Sequence, residues 1–152
     1  MTRVLADGET VERYTVASLL GEGGMAEVYL VHHVTLQTRH ALKVLTLTGP
    51  TLHDRLVAEG RVQAQLRHSN VVAVTDVLDV KGMPALVMEY VDGPDLARWI
   101  RSHRPDAATA EALFRGVVAG VAAAHDAGHV HRDLKTANVL VATGPTGELV
   151  PK

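Results

Sequence analysis

Cysteine is absent from this 152-residue chain, which excludes disulfides and thiolate metal sites. A surplus of either charge is missing as well. The formal net charge is −2 and no basic stripe occurs, so nothing asks for a nucleic-acid partner. No uninterrupted apolar run reaches membrane-spanning length, and the opening Met1-Thr2-Arg3-Val4-Leu5-Ala6-Asp7 turns acidic too soon for a signal peptide. The expectation is a cytoplasmic chain with no membrane segment of its own. What is present is 47% hydrophobic residues, enough at this length to bury a core. Arginine outnumbers lysine, and alanine and valine are abundant, a composition typical of GC-rich bacterial genes.

Periodicity divides the chain near residue 90. Residues 1–13 are mostly polar and are expected to form a loose leader. Tyr14 to Leu20 and Ala26 to Val31 are rich in strand formers and flank Gly21-Glu22-Gly23-Gly24, which predicts a hairpin with a glycine-rich turn. His40 to Leu45 alternates, with Ala41, Lys43 and Leu45 on one face and Leu42 and Val44 on the other. After Gly49-Pro50 the pattern turns helical. At about 100° per residue, Leu56, Glu59, Gln63 and Leu66 fall within roughly 40° of Leu52, which sets Glu59 in the inward stripe. Val71–Val80 and Met83–Glu89 predict two more strands around a turn at Lys81-Gly82. Beyond Tyr90 the spacing predicts a short helix from Leu96 to His103, stopped by Pro105, and a longer one over residues 107–127. The centre of that second helix is apolar nearly all round and belongs in a core. A hairpin over residues 141–152 turns at Gly144-Pro145-Thr146-Gly147.

Three features carry chemistry. Gly21-Glu22-Gly23-Gly24-Met25-Ala26-Glu27-Val28 approximates G-x-G-x-x-G-x-V, a pattern that lets backbone N–H groups approach phosphate oxygens. By itself it also fits a plain hairpin turn. A dinucleotide fold would need a helix next, where this chain has strand residues, and no Gly-Lys-Ser/Thr follows for a P-loop. Lys43 lies inside an apolar strand, where an edge lysine reaching solvent is the bland reading. An inward Glu59 changes the balance, because each buried charge requires the other. Last, Asp133, Lys135 and Asn138 crowd into a short polar stretch that no regular helix would bring to one face. Val139-Leu140-Val141 would anchor that loop on a strand.

In this order, with Ala41-Leu42-Lys43, Met88-Glu89-Tyr90-Val91 and His131-Arg132-Asp133-Leu134-Lys135-Thr136-Ala137-Asn138, the motifs resemble those of eukaryotic-type (Hanks-type) protein kinases. Gly-Gly-Met in the flap and Lys135 two residues after Asp133 are similar to the bacterial serine/threonine branch. The resemblance runs from about Tyr14 to the last residue. It implies an α+β fold: a kinase N-lobe over residues 14–90, with a five-stranded antiparallel sheet and one helix. The first helices, catalytic loop and hairpin of an incomplete helical C-lobe would follow over residues 91–152. It also implies ATP and Mg2+ as cofactors and a protein serine or threonine as substrate. Gly21, Glu22, Gly23 and Gly24 would form the flap over the phosphates, with Val28 and Ala41 above the adenine and Leu140 below it. Lys43 would hold the α- and β-phosphates and Glu59 would hold Lys43. Met88 would be the gatekeeper, the backbone of Glu89 and Val91 would meet the adenine edge, and Asp95 the ribose. Asp133 would accept the substrate proton, Lys135 would neutralise the moving phosphoryl, and Asn138 would ligate magnesium.

Three departures bear on this expectation. Ala26 replaces the third glycine. Gln63 stands where such kinases place an apolar residue, and a buried amide there would need partners. No Asp-Phe-Gly, activation segment or Ala-Pro-Glu occurs, so Arg132 has no phosphorylated segment to meet. The expectation is a piece of a kinase domain, inactive or nearly so alone, that exposes an apolar C-lobe surface through which it associates. The alternative is a non-catalytic nucleotide-binding or regulatory module that pairs with another kinase or a scaffold. His125, His129 and His131 raise a zinc site, with structural roles in the helix end and loop as the stronger reading. His32 and His33 are neighbours on a strand and point to opposite faces.

Overall fold

Alternation of apolar and polar residues through the first ninety positions produces an antiparallel sheet. The computed structural model describes residues 3–46 and 49–152, apart from four side chains noted below. Two units form. One comprises residues up to Gln65 with Ala73–Tyr90, and the other Leu66–Val72 with Val91–Lys152. The first unit ends at Tyr90, and the turn after the first helix belongs to the second unit.

In the first unit the strands are β1 (Thr10–Val11), β2 (Tyr14–Glu22), β3 (Ala26–His33), β4 (Arg39–Leu45), β5 (Val74–Val80) and β6 (Met83–Glu89). Their order in the sheet is β1-β2-β3-β4-β6-β5, with every pairing antiparallel. The five expected strands are therefore joined by a sixth, which comes from the leader. That leader is not loose. Leu5 is 1% exposed within the core made by Tyr14, Val16, Tyr29, Val31, Leu42, Val44 and Val87. The sparse apolar residues of the leader concealed this, since one leucine with a cavity waiting for it needs no periodicity.

Helix α1 (Pro50–Gln63) starts with proline in its first turn, where a missing N–H costs nothing. The side chains of Pro50, Leu52, Leu56 and Glu59 lie outside the described residues, and so does the expected inward course of Glu59. The described contact with the sheet centres on Gly60, which is buried. A Cβ there would come within 2.7 Å of Leu86 Cδ2 and 3.2 Å of Val77 Cγ2. Gly60 was no part of the expected stripe because hydrophobic periodicity gives glycine no weight. Gln63 is exposed, so the demand for partners to a buried amide does not arise.

In the second unit, α2 (Leu96–His103) is capped by Asp95, whose Oδ1 accepts the Arg98 N–H at 2.9 Å. It ends at Arg104 in the left-handed region, one residue before Pro105. Asp106 caps α3 (Ala107–Asp126) in the same way, accepting the Thr109 N–H, and the Thr109 side chain, with that N–H second, holds its carboxyl below the usual range. Strands β7 (Val141–Thr143) and β8 (Leu149–Pro151) form the expected hairpin. A Cβ at Gly120 of α3 would collide with the backbone of Asn70, whose Nδ2 donates to the Pro151 carbonyl at 2.8 Å. This small-residue face fixes α3 against the turn and hairpin. The opposite side is bare, with Phe114 67% and Val118 48% exposed. By length and composition alone, α3 is long and apolar enough to cross a membrane. Its packing through Leu113 and Gly120 is that of a helix in a folded unit.

Candidate nucleotide and catalytic site

Cross-strand register arranges the predicted residues of the sheet. Gly21 lies opposite Val28, Val28 opposite Lys43, and Lys43 opposite Leu86. The next row on the same face runs Leu30, Ala41, Met88. Directly paired residues in an antiparallel sheet share a face. Gly21, Val28, Ala41, Lys43 and Met88 thus stand together, opposite the face of Tyr29, Leu42 and Val87 that fills the core. Helix α1 packs on the Lys43 face, since Leu86 and Val77, which Gly60 meets, continue the Lys43 row.

The flap closes through a Gly23 N–H bond to the Ala26 carbonyl at 2.8 Å, just beyond the Glu22–Glu27 pair. A Cβ at Gly21 or Gly24 would meet nothing within 4 Å, and at Gly23 only Ala26 O at 3.8 Å. None of the three has a positive φ. Packing therefore does not demand glycine here, whereas close approach of a phosphate to the backbone would. Lys43 is half-buried on that face, and these residues fit a nucleotide triphosphate.

At the end of β6, the Glu89 N–H donates to the Ala73 carbonyl at 2.8 Å. In the second unit, Val91 is buried and its carbonyl accepts from the Gly93 N–H at 3.1 Å. A Cβ at Gly93 would strike the Val141 backbone, a constraint that the sequence reading missed. Asp95, read as a ribose ligand, is engaged through Oδ1 as the α2 cap, and its backbone bridges Leu140.

The loop brings Asp133, Lys135 and Asn138 together. Asn138 Nδ2 donates to Asp133 Oδ2 at 3.0 Å and to the Asp133 carbonyl at 2.8 Å, and Lys135 Nζ lies 3.5 Å from the same Oδ2. A single turn of 3-10 helix (Thr136–Asn138) folds Asn138 back over Asp133. Arg132 has φ 65°, an uncommon conformation for a side-chain-bearing residue and one that turns the chain sharply before Asp133. Val139 and Val141, both buried, anchor the loop as expected. The Asp133 and Lys135 side chains are 69% and 58% exposed, open to a substrate. With the Asn138 nitrogen engaged, its amide oxygen is the atom suited to a hard cation. Among the described residues no group of three or more His, Asp or Glu is placed to hold a metal, so His125, His129 and His131 do not assemble the zinc alternative.

Residues 14–149 match the family described as "Protein kinase domain". The serine/threonine-protein kinase PknF of Mycobacterium tuberculosis is 35% identical over 145 residues, covering 91% of this chain and 30% of that protein. Pkn1 of Myxococcus xanthus is 38% identical over 125 residues, 80% of this chain and 18% of that one. The crystal structure of the M. tuberculosis PknI kinase domain superposes with a TM-score of 0.77 at 33% identity, covering 96% of this chain and 61% of that domain. The chain thus spans less than a third of the length of these curated kinases and about three-fifths of a solved kinase domain. By its matched residues and its fold, the chain belongs to the protein kinase domain family.

Proposed function

We propose that this chain carries the nucleotide-binding lobe and catalytic loop of an ATP- and magnesium-dependent protein serine/threonine kinase. The observation that supports it most is the row Gly21–Val28–Lys43 on one sheet face, beneath a flap whose glycines the packing does not require. Mg·ATP brings the phosphoryl donor. Gly21, Glu22, Gly23 and Gly24 cover the phosphates, Lys43 pairs with them, and Glu59 of α1 steadies Lys43. In the sheet unit, Val28 and Ala41 meet the adenine, Met88 is the gatekeeper and the Glu89 backbone meets the base edge; in the other unit, Leu140 and the Val91 backbone carry the adenine-binding roles that the kinase pattern gives them. Asp133 takes the proton of the substrate hydroxyl, Lys135 offsets charge on the transferring group, and the Asn138 oxygen ligates magnesium.

Phosphoryl transfer rests on positioning and charge stabilisation, so no nucleophile of the protein's own is needed. These 152 residues hold Asn138 but no Asp-Phe-Gly aspartate, and on their own they bind nucleotide with little or no turnover. The test incubates the chain with labelled Mg·ATP and a generic basic protein. Label transfer at or below the Asp133→Asn background is expected. Robust transfer abolished by Asp133→Asn would contradict the inactivity, and failure to bind Mg·ATP at all would remove the reading. The exposed Phe114 and Val118 face supports self-association, which light scattering would read as a mass above one chain.

A further inference from the structure

Glu27 is the one acidic residue among the buried side chains of the described residues, at 9% exposure. In the β2–β3 ladder it forms the pair nearest the flap turn, opposite Glu22 and next to Val28. A carboxylate in such a place needs hydrogen-bond partners. It has two: Tyr29 Oη donates to Oε2, and so does the Val4 backbone N–H at 2.9 Å. Tyr29 is fully buried, and its hydroxyl oxygen accepts the Leu5 N–H at 3.1 Å. Burial, with Glu27 second, pushes the Tyr29 phenol up, which keeps it a donor. The leader is thus wired by two consecutive N–H groups to a carboxylate–phenol pair at the root of the flap.

The same leader is held elsewhere by contacts remote from the flap. Leu5 fills the core. Lys81 Nζ donates to the Val4 carbonyl at 2.7 Å and pairs with Glu9 at 2.9 Å, and the Ala6 N–H, with that lysine second, holds the Glu9 carboxyl below its usual range. The Gly8 N–H bonds to the Val16 carbonyl, and the Val16 N–H to the Glu9 carbonyl, both at 2.8 Å.

We propose that the leader, Arg3–Val11, is a clamp on the core face of the sheet, and that Glu27 is the positioning residue through which its docking sets the flap. With the leader docked, Glu27 is satisfied inside the sheet and Val28, one residue on, is held on the opposite face. With the leader off, Glu27 loses the Val4 N–H and Tyr29 loses its donor from Leu5. An under-partnered carboxylate then moves toward water and takes the flap end of β3 with it. The effect on nucleotide rests on the function proposed above; the effect on the flap does not.

The experiment compares wild type, a chain lacking residues 2–6, Glu27→Ala, the combination of both, and Leu5→Ala. Amide hydrogen exchange at residues 23–28 is followed without nucleotide, and Mg·ATP affinity by titration at a temperature where every variant is folded. Loss of a hydrogen bond to a charged group predicts roughly tenfold or greater acceleration of flap exchange for the deletion and for Glu27→Ala. Because both act through one contact, the combination adds little to either alone. Leu5→Ala, which keeps the Val4 N–H, lowers the unfolding midpoint but leaves flap exchange near wild type. A similar factor is expected in Mg·ATP dissociation constant. Unchanged flap exchange in the deletion, additive effects in the combination, or equal acceleration by Leu5→Ala would each overturn the clamp. If wild type binds no Mg·ATP while the exchange pattern holds, the clamp stands and the nucleotide reading falls.

Discussion

The two units hold their functional residues by different means. In the sheet unit, Lys43 and its companions are placed by backbone register over a continuous core that includes Leu5, Tyr29 and Val87. In the other, the buried cluster is Trp99, Leu113 and Val141, and Asp133, Lys135 and Asn138 are held by a few exposed hydrogen bonds. A site built on register tolerates surface change and fails only when the sheet slips. A loop site follows its anchors. The sheet unit should therefore be the more stable, and the chain carries its own reporters. Tyr14, Tyr29 and Tyr90, the only tyrosines, lie in the sheet unit, and Trp99, the only tryptophan, in the other.

Breaking the sheet unit should have the largest effect. Leu5→Ala removes a fully buried leucine and is expected to cost about 2–5 kcal/mol, seen as an earlier tyrosine transition in denaturant. An unchanged midpoint would mean that the leader does not dock. Gly120→Ala attacks the second unit by forcing α3 away from Asn70, at about 1–3 kcal/mol, and should shift the Trp99 signal first. Equal shifts of both reporters would show that the units unfold as one.

Asp95→Ala sharpens the comparison at a residue with two assignments. Loss of the α2 cap should cost about 1 kcal/mol on the Trp99 transition. Weaker Mg·ATP binding beyond that would restore Asp95 as a ribose ligand, whereas unchanged binding makes it a cap alone.

The smallest effect is one of pH. Burial, and secondly the charge of His33, holds the His40 imidazole below its ordinary value. A depressed histidine binds its proton more readily when unfolded. The stability linked to its neutrality is thus present above the unfolded pKa and declines as pH falls through the folded one. Tyrosine-monitored stability should drop between pH 7.5 and pH 5.5, roughly the span around an ordinary histidine, and His40→Gln should flatten that slope. A slope that survives the substitution would assign it to other groups.

Much of this was legible in the sequence because its signals are local. Alternation located β2, β3, β4 and β6 to within two residues, and Pro105 marked the break between α2 and α3, whereas their Asp95 and Asp106 caps were not singled out. The loop constellation was legible because unlike polar residues at irregular spacing exclude a regular element. Contacts made by single residues at long range were not. Leu5 docks without a pattern, Gly60 and Gly120 work by what they lack, and Glu27 carries no signal in the sequence beyond its place in the glycine-rich motif until its two partners, one a backbone N–H, are known.

Register gathers Gly21, Val28, Ala41, Lys43 and Met88 on one sheet face, the nucleotide site proposed above. Titration of Mg·ATP into wild type and Lys43→Met, with tyrosine-monitored unfolding of both, tests it most directly. Wild type should bind, and Lys43→Met should lose about tenfold or more in affinity, the scale of a hydrogen bond to a charged group, with the tyrosine transition nearly unmoved. Equal affinity in the two proteins, or no affinity in either, would contradict it.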